Sequence, residues 1–305
     1  MTRRGFLQTS ALAGIACATG CVAGPAAATT TKPLRIGGPL FGPALDDPKI
    51  WAKTARDQGY RAVYAPKMDL KDAQRIRAFR EAAAAQDLVI AEVGRWVNLM
   101  DADPVKRKAN FETVAEGLAL ADELGARCCV DIAGSFNPNS WYGPARENMT
   151  EVHFDRAVEN ARALIDAVKP KRSVFAYEMM GWMHPDSVDS YRRLIRAIDR
   201  KGFGVHVDLC NMVNSPEKYW NNAALIRETV DVLGPWIVSA HAKDLTWQVE
   251  MNVHFVECEL GQGVIDYPAY IAALKRLPQD VPLMIEHMKD QAQYERCRDF
   301  LLKQA

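Results

Sequence analysis

Four polar residues end short apolar segments of this chain, and their side chains are of types that bind metal ions. They are Glu178, Asp208, His241 and Glu286. A polar side chain at the end of a buried segment is costly unless it is paired or has a function. Three carboxylates and one imidazole suit a six-coordinate divalent cation and leave positions for substrate oxygens. We therefore predict one divalent metal ion, with Mn²⁺ as the first choice and Mg²⁺, Co²⁺ or Zn²⁺ as alternatives.

Such a site could make a C–H bond beside a carbonyl group labile. A metal ion that binds a carbonyl and a neighbouring hydroxyl acidifies the adjacent C–H, and a carboxylate can accept the proton. Return of the proton to the opposite face gives epimerisation, and return to the neighbouring carbon gives isomerisation. Loss of a leaving group from the β carbon gives elimination.

The segments that carry these residues alternate with amphipathic stretches. Eight apolar segments are predicted strands, at 34–37, 61–64, 88–93, 126–132, 173–178, 203–208, 236–241 and 281–286. Helical periodicity marks 71–86, 104–124, 152–168 and 187–201. This alternation predicts an α/β fold, a (β/α)₈ TIM barrel, whose active sites lie at the carboxyl ends of the strands. The candidate ligands end the fifth to eighth strands, so they should meet at one rim.

The N-terminal residues are predicted to be an export signal. Arg3 and Arg4 form a twin-arginine pattern, followed by the uncharged apolar stretch 11–23 and an A-x-A cleavage site at 26–28. We therefore expect a twin-arginine signal over 1–31, a single TIM-barrel domain over 32–305, and a periplasmic location. A lipoprotein-type cleavage before Cys21 is the alternative, and it would leave a lipid anchor as the membrane attachment.

Composition is that of an ordinary globular protein. Of the 305 residues, 49% are hydrophobic and 25% are charged, and 38 basic residues balance 38 acidic ones. The absence of a basic excess argues against nucleic acid as a partner. The adjacent Cys128 and Cys129 would point to opposite faces of a strand, so we expect small buried side chains rather than a disulfide.

Two further segments carry a family resemblance. The segment 260–267, LGQGVIDY, and the element 241–244, HAKD, resemble the xylose-isomerase-like superfamily of sugar isomerases, sugar epimerases and endonucleases. The resemblance implies that the Glu–Asp–His–Glu set binds the metal ion. It also implies that Glu178 and Glu286 face opposite sides of a small carbohydrate substrate as base and acid. Related barrels often pair, so a homodimer is an open expectation.

The chain departs from the ketose 3-epimerases of that superfamily at three substrate-facing positions, where it has His184, Asn211 and Trp247. The resemblance together with these departures favours β-elimination from a 3-keto-glycoside, with His184 or Lys243 as the proton donor. Isomerisation or epimerisation of a free ketose stays an alternative, as does a sugar-binding barrel with a structural metal ion. A multi-zinc phosphodiesterase is the remaining class.

Further side chains are predicted to contact the substrate around the same rim. The tryptophans could pack on a sugar ring, and the polar side chains could bind its hydroxyl groups, although packing within loops explains several of them equally well. The candidate substrate-binding residues are Trp182, Asn211, Trp247, His254, Glu92 and Asp131.

Overall fold

Eight parallel strands form a closed barrel in the computed structural model, which describes residues 33–304. The order around the barrel is β1-β10-β7-β6-β5-β4-β3-β2, so each strand lies beside its neighbour in the chain apart from a two-stranded insertion. The predicted α/β barrel is confirmed. The barrel strands are β1 (Arg35–Gly38), β2 (Ala62–Tyr64), β3 (Val89–Gly94), β4 (Cys128–Asp131), β5 (Val174–Glu178), β6 (Phe203–Val207), β7 (Ile237–Ala242) and β10 (Pro282–Ile285). The predicted export signal lies outside the described residues.

Helices surround the barrel and begin at residues that suit helix starts. Asp103 caps the helix at Pro104, and Gly125 ends it in the left-handed conformation with φ 70°. The predicted helix 187–201 is shorter in the structure, because Asp199 takes a left-handed φ of 47° and ends it. The helices are α1 (Pro48–Asp57), α2 (Ala73–Ala85), α3 (Pro104–Leu124), α4 (Glu151–Val168), α5 (Val188–Ile198), α6 (Leu209–Met212), α7 (Pro216–Trp220), α8 (Asn222–Leu233), α9 (Tyr267–Lys275) and α10 (Gln291–Gln304).

The core consists of the apolar side chains inside the barrel and those between the strands and the helices. Cys128 and Cys129 are fully buried free thiols within it, as predicted. Within residues 33–304, none of the helices is both long enough and apolar enough to cross a membrane.

Buried tyrosines fix the strand ends that carry the candidate ligands. The Tyr267 hydroxyl donates to the Lys243 carbonyl at 2.8 Å, and the Tyr270 hydroxyl donates to the His241 carbonyl at 3.4 Å. The end of β7 is therefore held from the outer helix α9. On the neighbouring strand, the Tyr64 hydroxyl donates to the carbonyl of Ile285 at 3.2 Å.

A hairpin that the sequence did not reveal follows β7. It consists of β8 (Asp244–Trp247) and β9 (Phe255–Cys258), which pair antiparallel outside the barrel. The Asp244 carboxylate anchors it by accepting backbone N–H groups of Gly261, Gly263 and Ile265 at 2.9–3.1 Å. A Cβ atom at Gly263 would collide with that carboxylate, so the close approach requires glycine.

Candidate metal centre

The four predicted ligands come together at the carboxyl rim of the barrel. Glu178 is the last residue of β5, and Asp208 directly follows β6, where its side chain also caps α6. His241 lies near the end of β7, and Glu286 directly follows β10. One donor atom from each side chain can be chosen so that all four lie within 4.8 Å of one another. The spacing is that of a shared cation, and ligation itself stays a prediction.

The imidazole of His241 occupies the centre of this cluster. Its Nδ1 atom lies 3.1 Å from Glu286 Oε2, 3.3 Å from Glu178 Oε1 and 3.5 Å from Asp208 Oδ2. A neutral imidazole carries one N–H group, and its other nitrogen offers a lone pair. Three carboxylate oxygens around one nitrogen therefore require a positive charge between them, either a proton or a metal ion.

The other nitrogen of His241 faces a buried carboxylate. Glu92 Oε1 lies 3.2 Å from His241 Nε2, and Glu92 Oε2 lies 2.9 Å from His206 Nε2 and accepts from the Ser239 hydroxyl at 3.0 Å. A carboxylate on Nε2 holds the proton there and leaves Nδ1 free for a metal ion. Glu92 was predicted to contact substrate, but it is only 2% exposed and both of its oxygens are engaged with protein groups. Its substrate contact therefore stays a prediction, and the structure places its carboxylate against the two imidazoles.

The charges of the cluster fit a divalent cation. Glu178, Asp208 and Glu286 carry three negative charges against the single ammonium of Lys243, which leaves an excess of two when His241 is neutral. Asp208 Oδ2 and Glu286 Oε2 are buried and accept no hydrogen bond, although Lys243 Nζ lies 2.8 Å from the first and 3.5 Å from the second. Buried carboxylate oxygens without a donor are rare in proteins. A hard divalent ion would satisfy both.

The pKa values show the same need for positive charge. Burial alone would lower the pKa of His241, but the carboxylates of Glu286, Glu92 and Glu178 raise it well above its ordinary value. Burial raises the pKa of Glu178. Burial also acts to raise the pKa of Glu286, but His241 and Lys243 hold it below its ordinary value. Without a metal ion, a proton on His241 takes the place of the cation.

Lys243 joins the cluster to two neighbouring polar groups. Its Nζ donates to Asn211 Oδ1 at 3.1 Å and lies 3.3 Å from Glu257 Oε1. Asn211 Nδ2 donates to Glu178 Oε1 at 3.1 Å, so this amide bridges the lysine and a candidate ligand. Burial would lower the pKa of Lys243, but Asp208 and the other carboxylates raise it well above its ordinary value, so the ammonium form persists.

A cavity of about 540 Å³ opens above the cluster and contains two of the candidate ligands. We name it the metal-side cavity. Its volume falls in the range of sites for small molecules. It is lined by Trp96, Ile132, Trp141, Tyr142, Glu178, Met180, Asn211, Lys243, Glu257, Glu286 and His287.

Seven of the lining residues were not among the site residues predicted from the sequence. Trp96, Trp141 and Tyr142 lie in loops after β3 and β4, where strand periodicity has no influence on side-chain direction. Glu257 lies in β9, and its Oε2 atom is 2.8 Å from His287 Nδ1. Residues 247–255 alternate between apolar and polar types, but 248–254 form the connection of the hairpin, so this pattern does not mark the strand that carries Glu257.

His184 and Trp182 do not reach the metal-side cavity. The His184 ring is buried against Phe154 and His153, with ring centroids 5.7 and 5.8 Å apart. This packing corrects the prediction that His184 donates a proton to the leaving group. Trp182 is 59% exposed and is absent from the lining residues, so its predicted sugar contact is not supported.

Trp247 and His254 lie on the hairpin rather than at the metal centre. Both line a groove of about 250 Å³ between the hairpin and Trp220 of α7. His254 Nδ1 is 2.9 Å from Glu250 Oε2, which pairs the imidazole within the hairpin. Neither residue lines the metal-side cavity, so the substrate contacts of both stay predictions.

Asp131 is the last residue of β4, and its side chain accepts hydrogen bonds from backbone N–H groups of the rim. Its Oδ1 atom accepts the N–H groups of Val97 at 3.2 Å and Ile132 at 2.8 Å. The side chain is fully buried, and burial raises the pKa of Asp131 well above its ordinary value. It supports a loop of the rim, which corrects the prediction of a substrate contact.

The comparison with known families agrees with this architecture. Residues 52–304 match the family model described as xylose isomerase-like TIM barrel. The chain belongs to the xylose isomerase-like TIM barrel family. The resemblance inferred from the metal set and the two motifs is thereby confirmed. A comparison of this sequence with curated proteins found no match.

Solved structures of similar fold cover almost the whole barrel. A xylose isomerase-like TIM barrel protein from Mycobacterium smegmatis in complex with magnesium has 18% identity and a TM-score of 0.63, over 89% of this chain and 96% of that one. The 3-keto-D-glucoside 4-epimerase from E. coli has 15% identity and a TM-score of 0.62, over 89% and 100%. The D-psicose 3-epimerase from Clostridium cellulolyticum H10, solved with D-tagatose, has 14% identity and a TM-score of 0.59, over 88% and 97%.

Proposed function

We propose that this chain is a divalent-metal-dependent carbohydrate enzyme that removes the proton beside the carbonyl group of a keto-sugar. We further propose that the reaction is β-elimination from a 3-keto-glycoside. The 3-keto-glucoside named for the E. coli structure supports a keto-sugar as the substrate class. The magnesium named for the M. smegmatis structure supports a divalent ion, for which Mn²⁺ remains our first choice here.

One observation carries the proposal, and it is the placement of two carboxylates around one cavity. Glu178 and Glu286 stand at the ends of β5 and β10, which are separated by β6 and β7, and both line the metal-side cavity. A sugar in that cavity would have a carboxylate on either side. Glu178, Asp208, His241 and Glu286 would hold the metal ion, which when bound would polarise the carbonyl group.

The residues of the chain can account for each proton in an elimination. Glu178 accepts the proton from C2 of the sugar, and the electrons of that C–H bond form the C1–C2 double bond of the enone. The C1–O bond breaks, and Lys243 donates a proton to the departing oxygen. Asn211 contacts both residues, so it holds their side chains in a fixed relation. Transfer by a positioned group of this kind contributes roughly 10²–10⁴-fold to a rate.

Epimerisation is the second candidate, because Glu286 could return a proton from the side opposite Glu178. The named activities of the two similar epimerase structures favour it. Elimination is supported by the ammonium group of Lys243 inside the cavity and by the departure from the epimerase pattern at Asn211, which also lines it.

The test uses the metal-loaded protein and a 3-keto-glycoside in deuterated buffer. We expect release of the aglycone together with an enone, which NMR would identify. Deuterium at C2 in a sugar that keeps its aglycone would instead support epimerisation. A substrate that retains both its aglycone and its C2 proton after prolonged incubation would contradict both reactions and favour a binding protein with a structural metal ion.

We also propose export by the twin-arginine route to the periplasm, with lipidation at Cys21 as the alternative end of the pathway. The paired Arg3 and Arg4 support it. Changing both arginines to lysine should retain the protein in the cytoplasm, which cell fractionation would measure. A homodimer is proposed as the assembly, and light scattering of the purified protein would test it.

A further inference from the structure

A second cavity opens beside the metal-side cavity on the same rim of the barrel. Its volume is about 490 Å³, and it lies at the carboxyl ends of β1, β2, β3 and β10. We name it the cationic cavity. It shares Trp96, Glu286 and His287 with the metal-side cavity, so the two spaces adjoin at these residues.

Two basic side chains of this cavity are unpaired among the described residues. Lys67 and Arg95 line it, and within residues 33–304 neither has an ion pair with a carboxylate. The Arg95 guanidinium donates to the carbonyl of Gly94 at 3.0 Å, and its aliphatic stem packs beside Gly117. The acidic lining residues are Glu92, which contacts His206 and His241, and Glu286, which is a candidate metal ligand.

The walls of the cationic cavity include aromatic rings. Tyr64, Trp96 and Tyr294 line it. The Tyr64 hydroxyl is bound to the carbonyl of Ile285, so its ring is held in place. Trp96 stands between the two cavities and is 40% exposed. Aromatic side chains pack well against flat rings, and guanidinium groups bind carboxylates in a planar, two-point geometry.

We propose that the cationic cavity binds a carboxylate-bearing ring that is joined to the sugar at the metal centre. This inference rests on the proposed function, because the sugar must occupy the metal-side cavity. In the elimination the ring is part of the leaving group, and it passes over Trp96 into contact with Lys67 and Arg95. The preferred substrate is then a keto-glycoside of an aromatic or sugar acid rather than of a neutral alcohol.

The experiment measures binding to the metal-loaded Glu178→Gln variant, in which turnover is slow. The probes are the phenyl and the 4-carboxyphenyl 3-keto-glucosides, and calorimetry gives the affinity of each. We expect the carboxylated probe to bind about tenfold more tightly, since a hydrogen bond to a charged group is stronger than one between neutral groups. Equal affinities for the two probes, or failure of both to bind, would overturn the proposal.

Two substitutions and one control locate the effect. Lys67→Gln and Arg95→Met should each reduce the preference for the carboxylated probe, and the double variant should abolish it. Arg95→Met keeps an unbranched aliphatic stem beside Gly117, so we expect the variant to fold. Lys71→Gln removes an exposed lysine of the same loop that does not line the cavity, and it should leave the preference unchanged. A preference that survives in the double variant would contradict the assignment.

A separate arm distinguishes a joined ring from a free anion. Free 4-hydroxybenzoate should bind much more weakly than the carboxylated glucoside, and equal affinity would show that the cavity takes an independent ligand. A different result would contradict the proposed function alone. If the unchanged enzyme turns over neither glucoside although the carboxylate preference depends on Lys67 and Arg95, the binding site stands and the elimination does not.

Discussion

The barrel rim has an acidic arc and a cationic arc, which differ in the sign of the charge on their side chains. The acidic arc, at the ends of β5, β6, β7 and β10, gathers three carboxylates around the His241 imidazole. The cationic arc, at the ends of β1, β2 and β3, presents Lys67 and Arg95 without acidic partners among the described residues. Side chains from the strand ends build the first arc, and loop side chains build the second. The acidic arc would suit a reaction on a sugar bound to a fixed metal ion. The cationic arc would suit recognition of a variable substituent on that sugar.

The largest expected effect tests whether the acidic arc performs the chemistry. Glu178→Gln should reduce turnover about 10³-fold, because an amide oxygen can still bind a metal ion but cannot accept a proton at neutral pH. The measurements are turnover and metal content of the same sample. Glu250→Gln, in the hairpin away from the cavity, is the matched control and should retain full activity.

Lys243→Met should have a smaller effect that depends on the leaving group. Without the ammonium group, glycosides of weakly acidic alcohols should lose about 10²-fold in rate, while glycosides of nitrophenol should lose little, because their oxygen leaves without a proton. Rates measured over a series of leaving groups give the dependence of the rate on the acidity of the leaving group. An equal loss across the series would show that Lys243 only supports the structure of the site.

Glu92→Gln should weaken metal binding by about 10- to 100-fold, because the carboxylate on Nε2 orients His241 and fixes its proton. Titration of the metal-free protein with Mn²⁺ measures the affinity. Glu81→Gln on the exposed face of α2 serves as the control. Unchanged affinity in Glu92→Gln would mean that the ring of His241 is held by packing alone.

The smallest expected effect is on the pH dependence of stability, and it depends on His153. Unlike His241, this histidine has no ion pair with a carboxylate among the described residues. Burial lowers the pKa of His153 to about 4, and its Nε2 atom bonds to the carbonyl of Gly134 at 2.9 Å. The pKa is lower in the folded state, so the stabilisation is complete above the unfolded pKa near 6.5 and is lost as the pH falls toward 4. Between pH 7 and 5.5 this loss is about 1 kcal/mol.

His153→Gln should remove that part of the pH dependence while keeping a donor for Gly134. Urea unfolding at several pH values measures the slope of stability against pH. His254→Gln replaces an exposed histidine of the hairpin and should keep the slope of the unchanged protein. A slope that is equally steep in His153→Gln would assign the acid sensitivity to other groups.

The acidic arc was predictable from the sequence because strand geometry determines where its residues lie. Glu178, Asp208, His241 and Glu286 end predicted strands, and parallel strands of a barrel place their carboxyl ends on one rim. The same reasoning placed Glu92 and Asp131 near the rim but could not tell that both oxygens of Glu92 and Oδ1 of Asp131 are bonded to protein groups. Those contacts depend on His206, Ser239 and loop N–H groups that are distant in sequence.

Loop residues were beyond this reasoning, as His184 and Trp247 show. Both lie close in sequence to a strand end that carries a candidate ligand, yet one packs against Phe154 and the other lies in β8 and lines the hairpin groove. Trp96 and Glu257 reach the cavity from loops and β9. Their positions follow from packing between distant segments, which periodicity does not report.

The anchoring of the hairpin by Asp244 has a consequence for how this protein could diversify. One carboxylate ties the start of the insertion to backbone N–H groups 17 to 21 residues further along the chain. These hydrogen bonds hold together the two ends of the insertion, whatever length of chain lies between them. Longer or shorter insertions cost little in closure entropy once their ends are fixed. The contacts made by the hairpin could therefore change while the carboxyl ends of the barrel strands stay as they are.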